Sequence, residues 1–148
     1  VLHTKSYLEI QQIRYSDILE YSIDLPEEFE MISLPKLTLQ PLVENALYHG
    51  VKEKRGQSKI TITFEDAGDD IVIQVLDDGI GMTEERLQEV KEGLKQNNNV
   101  GFGLAAVQGR LVLYFGAGYG IDIWSKYGEG TRIRVRIPKK FNFLDKKI

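Results

Sequence analysis

Cysteine is absent from the sequence, which excludes disulfides, thiol catalysis and thiolate metal sites. Histidine is scarce: His3 and His49 are the only two, too few for an ordinary zinc centre. No apolar run is long enough to cross a bilayer, and no signal-peptide pattern opens the chain. Neither sign of charge dominates. With 19 basic and 22 acidic side chains the net charge is −3, so no general nucleic-acid surface is expected. Low-complexity linkers and internal repeats are also missing. What remains is an ordinary globular composition, 42% hydrophobic and 28% charged, in 148 residues. That length suits one domain with a real core. The first residue is Val1 rather than methionine, so the chain is expected to be a piece of a longer protein.

Periodicity divides the chain into short elements. Lys5 to Tyr15 is a polar helix candidate, and Leu19 to Leu25 alternates like a half-buried strand. Pro35 can open a helix. From there Leu39, Leu42, Val43, Ala46 and Leu47 form one apolar stripe, with Pro41 near the start and Gly50 as the stop. Strands are expected over Lys59–Phe64 and Ile71–Leu76, joined by a turn within Asp66–Asp70. Thr83 reads as a helix N-cap, with Arg86 where a capping box would place Glu or Gln. Lys95 to Val100 reads as a mobile loop, and Gly103 to Phe115 as a helix. Two final strands are Ile121–Ser125 and Arg132–Ile137. In the last, Ile133, Val135 and Ile137 face one way and Arg132, Arg134 and Arg136 the other. The sum is an α+β two-layer sandwich, a mixed and mostly antiparallel sheet of about five strands backed by helices.

Three clusters carry possible chemistry. In Asp77-Asp78-Gly79-Ile80-Gly81-Met82, a carboxylate closes a strand and two glycines let the backbone approach a flat ligand. Around Glu44 and Asn45 the helix turns polar opposite its apolar stripe, and helical spacing puts Asn45, Tyr48 and His49 on one face. An amide beside a carboxylate suits a hard cation such as Mg²⁺, although a plain solvated face explains the same residues. Gly101-Phe102-Gly103-Leu104 opens a helix whose free N–H groups could meet anionic oxygens, or it is a hinge. Gly128-Glu129-Gly130-Thr131 taken alone is a tight turn.

In order, these segments resemble the N box, G1 box, G2 box and terminal Gly-Thr element of the GHKL (Bergerat) ATP-binding fold. That superfamily includes DNA gyrase, Hsp90, MutL and histidine kinases. Leu39-Gln40-Pro41-Leu42-Val43-Glu44-Asn45-Ala46 is more particular. It is similar to the N box of sensor histidine kinases of the LytS/YesM type, as is Tyr7-Leu8-Glu9-Ile10 upstream. The resemblance covers nearly the whole chain. It implies one catalytic ATP-binding domain over 1–148, with 1–18 a helical lead-in from a dimerisation region and 139–148 a tail.

The resemblance further implies the following roles. Asp77 would accept from the adenine amino group, with Gly79, Gly81 and Met82 lining the base. Asn45 would hold Mg²⁺, with Glu44 beside it as a phosphoryl-transfer group, and Tyr48 and His49 close to the nucleotide. Residues 83–100 would form a lid. Gly101, Phe102, Gly103 and Leu104 would meet the phosphates, and Thr131 would support the adenine through water and the Asp77 carboxylate. The γ-phosphoryl group would pass to a histidine upstream of this chain and then to a response regulator. The intact protein would be a homodimer, and this domain the cytoplasmic part of a membrane-anchored bacterial receptor. Neither His3 nor His49 is expected to be the phosphoacceptor, so the domain alone should bind ATP but not autophosphorylate, and without the family's dimer helices a monomer is the expectation. Related ATPases carry a glutamate where Pro41 stands here, and proline cannot act as a base. Two positions depart from the pattern: Tyr48 replaces a common lysine, and Ala106 a common asparagine. The competing readings are another GHKL ATPase or serine kinase, and a degenerate nucleotide-binding module.

Overall fold

The computed structural model describes residues 2–14, 18–30, 38–51, 54, 56–96 and 103–139. The chain order is α1 (Leu2–Arg14), β1 (Leu19–Asp24), α2 (Leu39–Asn45), β2 (Ser58–Ala67), β3 (Asp70–Asp77), α3 (Glu84–Lys95), α4 (Leu104–Phe115), β4 (Ile121–Lys126) and β5 (Gly130–Pro138). The strands form one five-stranded sheet in the order β1-β2-β3-β5-β4. Pairing is antiparallel throughout except between β1 and β2, which run parallel. A parallel neighbour needs a crossover, and the segment containing α2 supplies it. The remaining strands pair as hairpins or across a helical connection.

Alternation decides which face of the sheet is covered. Ile60, Ile62 and Phe64 of β2, Ile71, Ile73 and Val75 of β3, and Ile133, Val135 and Ile137 of β5 are all buried. They meet Leu42, Val43 and Leu47 from the α2 region, Leu87 and Val90 from α3, and Leu104, Val107 and Leu111 from α4. Each such aliphatic side chain gains about 1.5–3 kcal/mol by leaving water. The opposite face carries the arginines of β5 and the half-exposed Trp124, with the Arg132 guanidinium 5.9 Å from the indole centre. The expected Ile/Arg alternation of β5 is therefore what the sheet displays.

Local signals explain the turns. The β2–β3 hairpin closes on Gly68 and Asp69, and the Asp66 carboxylate accepts from the Gly68 N–H at 2.9 Å. Thr83 caps α3: its hydroxyl oxygen accepts from the Arg86 N–H at 3.2 Å. Arg86 cannot complete a capping box and pairs instead with Glu89 at 2.9 Å. Lys95 lies in the last turn of α3 rather than in a loop, Gln96 is its C-cap, and residues 97–100 of that expected loop, like Pro35, fall outside the described residues.

The end of α2 differs from expectation. The helix does not stop at Gly50; from Ala46 to Val51 it widens into a π-helical turn. A wider turn changes the angular spacing, so Asn45, Tyr48 and His49 no longer share one environment. Asn45 is 7% exposed, whereas Tyr48 is 44% exposed and His49 is on the surface. The widened turn carries Gly50 to the end of β3. A Cβ there would run into the Asp77 carboxylate, so the backbone packs directly against the end of β3.

Candidate nucleotide-binding site

The strand period selects between the two adjacent aspartates. Ile71, Ile73, Val75 and Asp77 point to the covered face, so Asp77 is 3% exposed, and Asp78 turns outward. Asp78 is occupied structurally: it accepts from the Lys59 N–H at 2.7 Å and lies 3.8 Å from the Lys54 ammonium. Lys54 also donates to the Asp78 carbonyl at 2.9 Å. These contacts tie the segment after the π turn to the end of β3.

Asp77 is held by backbone donors. The Gly79 N–H donates to its Oδ1 at 2.9 Å, and the nearby Thr131 N–H also favours the charged carboxylate. Burial nevertheless dominates and pushes the carboxyl up from 3.8 to about 7. The Gly79 donor opposes the rise, the Asp78 charge adds to it, and the Thr131 N–H and Lys54 pull it back. A carboxylate has about four lone-pair positions. Two backbone donors leave acceptor capacity at a site where water is scarce, which suits a ligand N–H.

The glycines have identifiable structural reasons. A Cβ at Gly79 would collide with the Gly50 backbone, and the Ile80 N–H donates to the Gly50 carbonyl at 3.3 Å. Gly81 has φ +70°, and a Cβ there would strike the Lys126 carbonyl. Both therefore draw the motif against the protein's own backbone: Gly79 against the end of the α2 region, Gly81 against the β4–β5 turn. Met82 is fixed by its N–H, which donates to the Ser125 Oγ at 2.8 Å.

Thr131 lies beside Asp77 in the sheet register, and Ser125 lies beside Thr131. Ile60, Asp77, Thr131 and Ser125 thus form one inward-facing cross-strand row. The Thr131 hydroxyl meets the Ser125 hydroxyl at 2.8 Å, and Ser125 donates to the Gly130 carbonyl at 2.9 Å. The motif reading did not include Ser125. Its signal was available: a small polar residue in the inward phase after Ile121 and Ile123, six positions before Thr131.

The structure brings Asp77, Gly79, Gly81, Met82 and Thr131 together and places Gly50 of the π turn against them. Asn45 is buried just before that turn, and Glu44 accepts from the Gln40 amide at 3.1 Å. Gly103 caps α4 in a left-handed conformation, and Leu104 is buried in the core. Gly101 and Phe102 lie outside the described residues. Among the described residues no group of three or more acidic or imidazole side chains could hold a metal, so an ion here would rely on Asn45, ligand oxygens and water.

A helix-backed mixed sheet, with a carboxylate buried where the third strand meets the N-box helix, defines the histidine kinase-like class of nucleotide-binding sandwich. Comparison with known proteins agrees. Residues 34–140 match the family described as histidine kinase-, DNA gyrase B- and HSP90-like ATPase, and the chain belongs to it. Sensor histidine kinase YesM of Bacillus subtilis is 35% identical over 134 residues, covering 90% of this chain and 22% of that protein. Sensor protein kinase HptS of Staphylococcus aureus is 34% identical over 140 residues, covering 92% of this chain and 26% of that protein. The chain thus spans about a quarter of the length of these relatives. In fold it is similar to the catalytic domain of histidine kinase ThkA, with a TM-score of 0.62 at 19% identity over 93% of this chain and 88% of that one. Within its family the chain is an ATP-binding catalytic domain of the sensor histidine kinase kind. No helix among the described residues is long and apolar enough to cross a membrane.

Proposed function

We propose that this domain binds Mg²⁺-ATP and presents the γ-phosphoryl group to a histidine on a segment outside the chain, from which it passes to a response-regulator aspartate. The observation that carries the reading is the buried Asp77 carboxylate, seated on Gly50 and Gly79 with acceptor capacity to spare. An adenine amino group meeting that acceptor is rewarded, whereas a base without a donor leaves a buried carboxylate short of partners. Thr131 supports the same end of the base, with Gly79, Gly81 and Met82 alongside. Asn45 holds the Mg²⁺, whose charge offsets that of the phosphates, and Glu44 stands next to it as a phosphoryl-transfer group. Tyr48 and His49 lie on the outer side of the π turn, and the backbone at Gly101, Phe102, Gly103 and Leu104 meets the phosphates at the head of α4. The chain's contribution is positioning and charge neutralisation. Pro41 offers no base to activate water, so ATP is held for transfer rather than hydrolysed. We further infer that the intact protein is a homodimer and that this is the cytoplasmic domain of a membrane-anchored receptor, as the relatives' description as sensor kinases suggests.

Titration calorimetry with Mg²⁺-ATP tests the reading. Micromolar to submillimolar binding without steady ATP turnover is the expected result. No detectable binding refutes the kinase assignment, and sustained turnover by the isolated domain favours an ATPase instead.

A further inference from the structure

We infer that Ser125 is a positioning residue that sets the direction of the Thr131 hydroxyl and so makes the site selective for a 6-amino purine over a 6-oxo purine. The inference rests on the adenine site proposed above. Three short contacts converge on the Ser125 oxygen: the Met82 N–H at 2.8 Å, the Gly130 carbonyl at 2.9 Å and the Thr131 hydroxyl at 2.8 Å. Each needs one proton, and three are at hand: the Met82 N–H, the Ser125 O–H and the Thr131 O–H. A carbonyl cannot donate, so the Ser125 proton goes to Gly130. The Met82 N–H necessarily donates to Ser125. The remaining contact is satisfied only when Thr131 donates its proton to Ser125.

Thr131 Oγ1 is then left with lone pairs alone. Its register neighbour Asp77 is also an acceptor, and both are buried. Two adjacent acceptors match the two N–H bonds of a 6-amino group, one directly and one directly or through water. With Asp77 ionised, as it mostly is at pH 8, a 6-carbonyl in the same place faces two acceptors with no proton between them, a costly arrangement away from water. Without Ser125 the Thr131 hydroxyl is free to rotate and donate, and a 6-oxo base becomes tolerable.

The test compares ATP with ITP, which replaces the 6-amino group by a carbonyl, in calorimetric titrations of the whole chain at pH 8, where the Asp77 carboxyl is mostly ionised. The parent should bind ATP more tightly. Ser125→Ala should narrow the ATP-over-ITP ratio about tenfold, by weakening ATP and strengthening ITP. Ser125→Cys keeps the volume with a weak acceptor, and carries the same test should the alanine variant fail to fold. Because the effect passes through Thr131, adding Ser125→Ala to Thr131→Val should leave the ratio of that variant unchanged. A merely structural Ser125 would instead weaken both nucleotides equally, which overturns the inference. So does an equal change of the ratio in the Thr131→Val background, or a parent that binds ATP and ITP alike. A parent that binds neither nucleotide overturns the adenine site itself.

Discussion

Replacing Asp77 with asparagine should stabilise the free domain above neutral pH and remove its grip on ATP. The reasoning starts from burial. The carboxyl is pushed from 3.8 to about 7, chiefly by desolvation. The native state therefore holds this proton more tightly than the unfolded chain does. Stability contributed by the protonated form is complete below about pH 4 and is lost as pH rises through about 7. At about 1.4 kcal/mol per pH unit, the full loss is roughly 4 kcal/mol. Asparagine carries no charge to bury, but its amide nitrogen replaces an acceptor, and a displaced backbone donor returns about 1 kcal/mol or more of that gain. We expect a net gain of about 2 kcal/mol at pH 8, or about 4–8 °C in melting temperature. The gain should shrink as pH falls below 7, cross zero between about pH 6 and 5, and below about pH 4 leave the variant roughly 2 kcal/mol less stable than the parent. The assay is urea unfolding of parent and variant across pH 4–8, with ATP titration at pH 8. A stability difference that does not change with pH would refute the desolvation argument. Unchanged ATP affinity in the variant would refute the adenine assignment while leaving the stability argument intact.

Three further outcomes are expected. Gly50→Ala should cost about 1–3 kcal/mol in denaturant unfolding and weaken ATP, because its methyl runs into the Asp77 carboxylate; a neutral result would place the π turn elsewhere. Asn45→Ala should remove the dependence of ATP affinity on added Mg²⁺, read by titration with and without EDTA, and leave Mg²⁺-free binding nearly intact. Thr83→Ala should lower stability by about 1 kcal/mol through loss of the cap on α3, with ATP affinity within twofold of the parent.

Much of the fold was legible because its elements are locally consistent. The turn at Gly68-Asp69, the Thr83 cap and the alternation of β5 each follow from neighbours within a few residues. The parallel pairing of β1 with β2 was not legible in this way. Strand direction is set by how a long connection returns, and the alternation of Leu19–Asp24 is the same in either direction. The widening of α2 was likewise hidden. An apolar stripe continuing to Leu47 supports an ordinary helix, and the π turn arises where Gly50 meets Asp77, a contact between residues 27 positions apart in sequence. The site divides similarly. Asp77 could be separated from Asp78 by extending the inward phase of β3, but Ser125 was passed over because its partners lie on another strand and in the segment after Gly81.

The sequence by itself determined most of the element pattern and the order of its motifs, and their resemblance to the GHKL boxes implied the class of the domain and singled out Asp77, because periodicity and motif spacing are local properties of the chain. Tertiary structure alone decided how acidic that aspartate is, why glycine stands at 50 and 79, and that the Ser125 and Thr131 hydroxyls meet. Those depend on desolvation, on backbones meeting without side chains between them, and on two hydroxyls brought side by side, and each arises only when distant segments are packed together.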